Sequence, residues 1–340
     1  MKTAVVILNW NTREYLERFL PPLIESCKGR DAEIVVADSA STDGSVEYVK
    51  SAYPDIRCIA LDRNYGFTGG YNRALSQIEA EYFILINSDI EVAPDWLSPL
   101  VGWMDSHPEC GACGPALHSF QQRDHFEYAG AAGGYIDRFG YPFCRGRVLK
   151  RLEKDKGQYS DPKDVLWVSG ACLCTRSGLW KQLGGLDDRF FAHMEEIDYC
   201  WRLQLAGYKV TVVPESTVYH LGGGTLPQDS PWKLQLNYRN NLLLLDNNLS
   251  ASIGCFRAAL RIGFRKCLDL GSAAVYLLGG KKEYAGAVLT AHSEYRKLRR
   301  KAKKESGSKV TGLYGICILP LAFCKGEKIF KYLKDYENRH

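Results

Sequence analysis

Four short segments of the chain combine carboxylates, amides and glycines, the groups that proteins use to bind phosphate esters and divalent cations. They lie at residues 36–44, 64–70, 85–89 and 194–198. The first and third follow apolar, strand-like runs that stop at an acidic residue. Because open α/β sheets bind ligands at the carboxyl ends of their strands, we expect these segments to converge on one site.

The turn Asn87-Ser88-Asp89 has the composition of a cation site. A hard divalent cation prefers oxygen ligands, and it often takes one or two protein carboxylates together with substrate phosphates. Asp89 is therefore the predicted ligand for Mg²⁺ or Mn²⁺. The Asn87 amide either adds an oxygen ligand or only orders the turn. An acidic turn at the end of a strand also occurs without any metal.

Two further segments suit the other parts of a nucleotide. The 64–70 segment offers consecutive backbone N–H groups ahead of a helix, which suits a diphosphate, although glycines also form plain tight turns. The Asp38 carboxylate can accept hydrogen bonds from a pyrimidine edge or a ribose hydroxyl. Alternatively, it forms an Asx turn that caps the next helix.

Three acids, Glu195, Glu196 and Asp198, lie close together ahead of Arg202. Their repulsion raises the pKa of at least one carboxyl unless a cation compensates, and such a group suits a general base. The alternative is an acidic first helical turn that favours the helix dipole. His220, which precedes the glycines at 222–224, is either a metal ligand or structural. Together the motifs predict an enzyme that holds a nucleotide diphosphate through a metal ion.

The first half of the sequence alternates predicted strands with predicted helices. Strands are predicted at 4–8, 33–37, 56–61 and 82–86, and helices up to Cys27, up to Tyr53, over 68–79 and from Pro94 to Asp105. This alternation predicts a doubly wound parallel sheet. Asn11 and Glu14 form a capping-box pattern for the first helix. The first turn lacks GxGxxG, which excludes a dinucleotide-binding dehydrogenase.

The second half changes in character. Residues 110–176 look irregular, with one strand over 165–174, and shorter elements follow. Beyond Pro231 the sequence predicts helices over 234–245, 253–270, 272–278 and 282–304. The length of 340 residues and 46% hydrophobic content allow one large domain with an appendage. We therefore predict domains at 1–235 and 236–340.

The composition also indicates where in the cell the protein is expected. The 12 cysteines are scattered, and the CxxC pair Cys110/Cys113 has no partner pair at zinc-ribbon spacing. Reduced, mostly buried thiols in the cytosol are expected. No apolar run reaches the roughly 18 residues of a spanning helix, and the N-terminus is too short for a signal peptide. The basic block at 297–304 is either a solvated face or a contact with anionic lipid. Nucleic acid is not expected, because no reading motif is present.

These segments resemble the inverting family 2 glycosyltransferases with the GT-A fold, and they are most similar to rhamnosyltransferase-type members that build bacterial surface polysaccharides. The resemblance extends from Ala4 to about Leu245. It rests on the order and spacing of 6–11, 38–45, 64–72, 87–89, 184–187, 195–198 with Arg202, and His220. It implies an α/β domain with a mostly parallel sheet flanked by helices and a C-terminal helical extension.

The resemblance also assigns roles. It implies that Asp38 contacts the nucleobase, that Asp89 and His220 hold the cation, and that Glu196 is the base. The remaining donor-binding positions are Asn9, Asn11, Asn64, Gly66, Phe67, Gly70, Asn72, Asn87 and Ser88, and the acceptor pocket is lined by Trp167, Ser169 and Gly170. Arg239 and Asn240 match an Arg-Asn pair of rhamnosyltransferase-like members.

Three positions depart from the family pattern. Asn87 replaces the first acid of the DxD motif, which makes it a doubtful ligand. A Glu-Glu pair replaces Glu-Asp and moves the carboxylate by one methylene, so that Glu195 or Asp198 is an alternative base. Tyr71 stands where asparagine is frequent.

The expected activity is transfer of a sugar from dTDP-rhamnose or a UDP-sugar to a glycan or polyprenyl-diphosphate-linked acceptor. The expected location is cytoplasmic, peripheral at the inner face of the cell membrane. A nucleotidyltransferase is one alternative, although the chain lacks its glycine-rich basic loop after the first strand. A non-catalytic assembly protein with the GT-A fold is the other.

Overall fold

The computed structural model of the protein describes residues 1–222, 230–300 and 309–339. Its first half alternates strands and helices, because apolar runs such as 82–86 are separated by polar turns. The elements are β1 (Thr3–Asn9), α1 (Arg13–Cys27), β2 (Ala32–Asp38), α2 (Ser45–Ala52), β3 (Arg57–Ala60), α3 (Gly66–Leu75), β4 (Tyr82–Asn87), β5 (Ile90–Val92), α4 (Leu97–Ser106) and β6 (Cys110–Ser119).

The second half begins with short strands and ends in helices. The elements are β7 (Gly134–Ile136), β8 (Pro142–Cys144), β9 (Arg147–Val148), β10 (Arg151–Leu152), β11 (Lys163–Asp164), β12 (Cys172–Arg176), α5 (Ser177–Leu183), α6 (Glu195–Leu205), β13 (Lys209–His220), α7 (Pro231–Ile253), α8 (Cys255–Leu278), α9 (Lys282–Leu298), α10 (Ile318–Lys325) and α11 (Ile329–Glu337). A short 3₁₀ turn, Gly326–Lys328, joins the last two helices.

The central sheet has the order β11-β13-β6-β12-β4-β1-β2-β3, with β5 paired to β13. Strands β1 to β4 are parallel, β12 is antiparallel to both neighbours, and β13 is parallel to β6. The register sets Asn9 beside Asp38 and Leu8 beside Asn87. This alignment brings the polar ends of β1, β2 and β4 to one edge. The mostly parallel α/β fold predicted from the sequence is therefore confirmed.

Helices bury both faces of this sheet, which explains why β1 and β4 are apolar at nearly every position. Leu16 and Leu20 of α1 pack on one face, and Tyr71 of α3 packs on the other. The Tyr71 hydroxyl donates to the carbonyl of Ile86 at 3.1 Å. The tyrosine that departs from the family pattern is thus a buried link between α3 and β4.

The interpretation of residues 110–176 as irregular was wrong at the start of this region. Residues Cys110–Ser119 form a ten-residue strand, and the strand expected over 165–174 begins only at Cys172. Glycines in β6 obscured the pattern. A Cβ on Gly111 would lie 2.9 Å from Leu203, and one on Gly114 would lie 2.8 Å from Val168. Neighbouring elements therefore pack too closely for larger side chains.

The predicted capping box of the first helix was also wrong. Asn11 has a positive φ of 52°, and its side-chain oxygen accepts the Thr42 N–H at 2.7 Å. The helix instead begins at Arg13, whose N–H donates to the Asp43 carboxylate at 2.8 Å. The cap therefore comes from the turn after β2. Among smaller differences, α8 continues through Gly271, and Pro94 lies in the turn before α4.

The C-terminal helices pack onto the sheet domain through α7. Asn240 donates to the carbonyls of Phe190, Ala192 and His193 at 2.7–3.0 Å. Helix α7 is continuous across residue 235, and the domain division there stays a prediction. Residues 301–304 of the basic block and Gly223 and Gly224 lie outside the described residues. In the described ranges, no helix has the length and apolar composition to cross a bilayer.

Candidate active site

A cleft of about 490 Å³ opens at the carboxyl edge of the sheet. It collects predicted donor, acceptor, metal and base residues that are far apart in the sequence. Those lining it are Asn64, Gly66, Phe67, Asn87, Ser88, Asp89, Trp167, Ser169, Gly170, Glu195, Glu196 and His220. The convergence expected from the four motifs is present in the structure.

Asp38 and Asn9 lie beneath this cleft and do not line it. Asp38 is only 1% exposed, and its carboxylate accepts from the Asn9 amide at 2.7 Å and the Ser41 N–H at 2.8 Å. These bonds shape the turn whose Ser39 does line the cleft. Asp38 therefore orders the turn after β2 but does not cap α2, which begins at Ser45, and its contact with a nucleobase stays a prediction.

Three other predicted donor residues have structural contacts outside the cleft. A Cβ on Gly70 would lie 2.7 Å from Leu8, so glycine lets α3 approach β1. The Asn72 amide donates to the Leu186 carbonyl at 2.8 Å and accepts the Leu186 N–H at 3.0 Å. Asn11 holds the turn at Thr42, as described above. None of the three lines the cleft, and their role in donor binding stays a prediction.

The part of the cleft that holds the predicted metal ligands has three ionisable side chains in a row. Asp89 follows β4, His220 ends β13, and Glu127 lies in the loop after β6. His220 Nε2 is 3.2 Å from Asp89 Oδ1, and His220 Nδ1 is 3.2 Å from Glu127 Oε2. Pairing of His220 with Ile90 of β5 fixes the imidazole beside Asp89.

The two carboxylates control the charge of the imidazole. Burial disfavours its protonated form, but Glu127 and Asp89 outweigh burial and raise the pKa of His220 to about 10. Burial likewise disfavours the Asp89 anion, yet the charge and hydrogen bond of His220 lower the pKa of Asp89. Both groups are therefore charged at neutral pH. A cation that binds both must displace the imidazolium proton.

The residues in this part of the cleft fit a divalent cation that accepts oxygen and nitrogen ligands. Mn²⁺ suits a carboxylate and an imidazole, whereas Mg²⁺ prefers oxygen alone. His220 Nδ1 is buried without a well-formed hydrogen bond. Within the described ranges, no three His, Cys, Asp or Glu side chains surround a common metal position. The phosphates of a bound nucleotide can supply further ligands to such a cation.

The predicted base lies at the start of α6, where this helix borders the cleft. Met194, ahead of this helix, has a φ of 70°, and His193 has a φ of 71°. Strained backbone of this kind persists where surrounding packing fixes it, often at functional sites. Glu196 contacts the segment after Trp167, because a Cβ on Gly170 would lie 3.3 Å from Glu196 Cβ. The tight turn thus presents Glu196 beside the predicted acceptor residues.

Burial dominates the protonation of this acidic pair. It raises the pKa of Glu196 to about 7 against the opposing effect of backbone hydrogen bonds. Burial and the charge of Glu196 raise the pKa of Glu195 well above its usual range. The Oε2 atom of each glutamate is buried without a hydrogen-bond partner in the described structure. Glu196 is the less buried of the two, and its pKa suits proton transfer near neutral pH.

Asp198 lies outside the cleft and is fully satisfied. It is buried, it accepts from Arg202 at 2.7 Å, and it accepts from the amides of Asn247 and Asn248 at 2.9 and 2.8 Å. It therefore joins α6 to α7, and the structure does not place it with the other candidate bases.

Asp198→Asn should lower the stability of the folded protein without changing its turnover. The change weakens a buried ion pair, so we expect a loss of about 2 kcal/mol in unfolding free energy. Urea denaturation measures this loss, and steady-state assays below the transition should give unchanged turnover per folded molecule. A stable but inactive Asp198→Asn protein would contradict the structural role.

Several cleft residues were not anticipated from the sequence. They are Glu127, Tyr128, Arg147, His193, Trp232 and Asn237. His193 directly precedes the acidic motif and could have been found from that position. Burial, and then the charge of Lys233, lowers the pKa of His193 to about 4. Glu127 and Arg147 carry no motif signal, because only the folding of the 110–176 region brings them to the cleft.

Comparison with known proteins agrees with this geometry. A family model described as glycosyl transferase family 2 matches residues 4–179. The N-acetylglucosaminyl-diphospho-decaprenol L-rhamnosyltransferase of Mycobacterium tuberculosis is 27% identical over 286 residues, covering 79% of this chain and 91% of the relative. The low-salt glycan biosynthesis hexosyltransferase Agl10 of Haloferax volcanii is 22% identical over 267 residues, covering 74% and 77%.

Solved structures show the same architecture. Mannosyltransferase PcManGT from Pyrobaculum calidifontis, in complex with GDP-Man and Mn²⁺, aligns with a TM-score of 0.53 at 14% identity and covers 88% of both chains. S. aureus TarS 1–349 in complex with UDP-GlcNAc gives a TM-score of 0.52 at 14% identity, covering 87% of this chain and 92% of that one. The chain is a glycosyltransferase of the GT-A fold and belongs to glycosyl transferase family 2.

Proposed function

We propose that the protein transfers a sugar from a nucleotide-diphosphate donor to a hydroxyl of a lipid-linked glycan, with inversion at the anomeric carbon. The observation that carries this proposal is the shared cleft. The Asp89–His220 pair and Glu196, whose Oε2 atom has no hydrogen-bond partner in the described structure, both line this cleft. A leaving diphosphate and an attacking alcohol need these two groups on opposite sides of the reacting carbon.

The donor occupies the half of the cleft formed by the turns after β1 to β4. Ser39, Asn64 and Gly66 line this half. Gly66 is required there, because it has a φ of 70° and a Cβ would lie 2.5 Å from the Phe191 ring. Its N–H donates to the Asn64 side chain at 2.8 Å, which orders the turn ahead of α3. Asp89 and His220 hold the cation, which supplies Lewis-acid stabilisation of the diphosphate when bound.

Glu196 takes the proton from the acceptor hydroxyl. Its pKa of about 7 makes the carboxylate basic enough for this step and still substantially ionised at neutral pH. Burial and the charge of Glu196 raise the pKa of Glu195 well above its usual range, which favours the protonated form of Glu195 beside Glu196. We therefore assign the negative charge of the pair to Glu196, which lies beside Gly170.

The name of one relative favours a particular donor and acceptor. The M. tuberculosis relative is an N-acetylglucosaminyl-diphospho-decaprenol L-rhamnosyltransferase, and the alignment covers 91% of its length. We therefore place dTDP-rhamnose first among donors and a UDP-sugar second, with a polyprenyl-diphosphate-linked glycan as acceptor. Family membership removes the nucleotidyltransferase alternative.

A nucleotide-sugar panel tests the donor assignment. In a thermal shift assay with Mn²⁺, a donor at a hundredfold excess over its dissociation constant should raise the free energy of unfolding by about 2.7 kcal/mol. Labelled donors that stabilise the protein are then tested for transfer to lipid-linked acceptors. A protein that binds no donor, or binds donors and neither transfers nor hydrolyses them, supports the non-catalytic alternative instead.

We also propose that α8 lies on the cytoplasmic face of an anionic membrane, close to the lipid-linked acceptor. Its outward face carries large apolar side chains with exposures between 48% and 89%: Phe256, Leu260, Phe264, Leu270, Val275, Leu277 and Leu278. Burial and the nearby charges of Arg138 and Arg257 lower the pKa of Arg261, which marks a cluster of like positive charges. The acidic residue of this helix, Asp269, is buried. An apolar face flanked by cations fits an anionic bilayer surface.

Replacing Leu260 and Phe264 with Gln should release the protein from vesicles of phosphatidylglycerol and phosphatidylethanolamine. Loss of two inserted side chains predicts a fall in partition coefficient of about 100-fold, measured by cosedimentation. Leu152→Gln, at an exposed position on β10, is the control and should bind like the wild type. Equal binding by the double variant contradicts the proposal. So does a wild-type dimer that the double substitution converts to monomer.

A further inference from the structure

One buried cation in the cleft has no carboxylate partner. Arg147 of β9 is 6% exposed and lines the cleft. In the described part of the chain, no carboxylate lies within salt-bridge distance of its guanidinium. By contrast, the similarly buried Arg239 pairs with Glu294 at 3.2 Å, and Arg265 pairs with Asp269 at 2.7 Å. An unpaired buried charge is costly, so it is expected where a ligand supplies the opposite charge.

The protein contacts of Arg147 are weak. Nη2 donates to the Cys144 sulfur at 3.2 Å, and Nη1 donates to the Pro142 carbonyl at 3.4 Å. The guanidinium carbon lies 4.9 Å from the centre of the Tyr128 ring. Nε is buried and has no hydrogen-bond partner in the described structure. The side chain is thus held in place by a ring and two weak acceptors, while its donor capacity is only partly used.

The position of Arg147 belongs to the acceptor half of the cleft. The loop after Tyr128 packs on the predicted acceptor segment, since a Cβ on Gly130 would lie 2.5 Å from Ser169 Cβ. Arg147 lies within electrostatic range of Glu127, and Cys144, its partner, lies within range of both Glu127 and Glu196. The donor turns at Ser39 and Asn64 follow β2 and β3, at the far end of the sheet. Arg147 therefore lies in the part of the cleft that holds Glu127 and Glu196, away from the donor turns.

We propose that Arg147 binds a phosphate of the acceptor's diphosphate and so selects a diphosphate-linked glycan over the same glycan on a neutral carrier. This inference rests on the proposed function, because it names the charged group of the acceptor in that site. A planar guanidinium matches the oxygens of phosphate, and such charge-assisted hydrogen bonds are strong. Tyr128, whose ring lies beside the guanidinium, holds the side chain in position.

The first experiment compares two acceptors that carry the same sugar, one through a diphosphate to a short prenyl chain and one through a neutral alkyl ether. For Arg147→Gln, the ratio of kcat/KM for the two acceptors should fall roughly 10- to 100-fold, with donor KM unchanged. Arg147→Lys keeps the charge and should lose less. Because the ratio is internal to each preparation, partial unfolding does not affect it.

Arg145→Gln is the matched control. Arg145 is a buried arginine near the same hairpin, but it pairs with Glu337 at 3.3 Å and does not line the cleft. Its acceptor ratio should equal that of the wild type. An unchanged ratio in Arg147→Gln overturns the proposal. An equal loss with both acceptors and a raised donor KM also overturns it, because Arg147 would then hold the donor diphosphate.

A binding measurement separates this proposal from the proposed function. Isothermal titration of a short prenyl diphosphate into wild-type protein saturated with nucleotide and Mn²⁺ should show binding that Arg147→Gln weakens by a similar factor. Should Arg147→Gln fail to fold, Arg147→Lys should weaken binding to a smaller extent. Absent binding by the wild type, or equal binding by the folded variants, overturns the Arg147 site. Absent sugar transfer to every acceptor contradicts the proposed function and leaves the titration to decide on Arg147.

Discussion

Glu196→Gln should reduce turnover by about 10² to 10⁴ while leaving donor affinity nearly unchanged. Glutamine preserves the shape of the side chain and its contact with Gly170, but it cannot accept a proton from the acceptor hydroxyl. Steady-state transfer of labelled sugar measures turnover, and thermal shift with donor and Mn²⁺ measures binding. Glu195→Gln is the comparison, and it should have the smaller effect, because Glu195 is already protonated in the proposed mechanism.

The pH profile gives an independent test of the same group. With a pKa of about 7 for Glu196 in the free protein, kcat/KM should rise about tenfold per pH unit below 7 and level off above it. A base with the ordinary glutamate pKa would already have reached its plateau by about pH 6. Normal turnover by Glu196→Gln, or a flat profile between pH 5 and 8 in the wild type, would remove Glu196 from the role of base.

Whereas kcat/KM should rise with pH, the free energy of unfolding should fall with pH. The folded-state pKa of Glu196 is raised from 4.5 to about 7, so the folded protein holds a proton that the unfolded chain has released between these values. Unfolding free energy should therefore fall as pH rises from 4.5 to 7. Glu196→Gln lacks this loss, and at pH 8 it should exceed the wild type by about 1–3 kcal/mol. Urea denaturation at pH 5 and pH 8 measures the unfolding free energies of both proteins. A variant less stable than the wild type at pH 8 would contradict this prediction.

Asp89→Asn should reduce turnover by about 10²-fold or more through loss of the cation. The amide keeps the size of the side chain and removes the negative charge that pairs with His220 and would face the metal. Manganese binding in the presence of nucleotide, followed by electron paramagnetic resonance, should weaken together with activity. Glu196→Gln is the matched control, because it should bind manganese and nucleotide like the wild type.

His220→Gln separates a ligand from a structural histidine. Loss of the imidazole should weaken manganese binding, and the proton release that accompanies metal binding should disappear, because His220 is the group that must give up a proton. Unaltered manganese affinity in both Asp89→Asn and His220→Gln would place the cation elsewhere.

The fold was largely predictable because local sequence patterns indicate the strands and turns of its first half. Uninterrupted apolar runs at 4–8 and 82–86 indicate strands buried on both faces, and the polar residues after them indicate the binding edge. Strand β6 escaped prediction because its glycines reflect the close approach of Leu203 and Val168, which are distant in sequence. The cap of α1 was not predicted because it also depends on a contact between residues distant in sequence: Asp43 reaches Arg13 from another turn.

The site was predictable only where its residues form motifs. Asp89, Glu196 and His220 lie in segments whose composition indicates chemistry, and the structure brings them to one cleft. The choice among the three acids required the structure, because Asn247 and Asn248 of α7 satisfy Asp198. Glu127 and Arg147 could not be found from sequence patterns, since each matters through neighbours that only the fold supplies.

The anomeric configuration of the product tests the account most directly. In the proposed mechanism, Asp89 and His220 hold the leaving diphosphate through the cation on one side of the reacting carbon, and Glu196 activates the alcohol on the other. Proton NMR of the glycan made from any accepted donor should therefore show an anomeric configuration opposite to that of the donor. A product that retains the donor configuration would contradict this direct displacement.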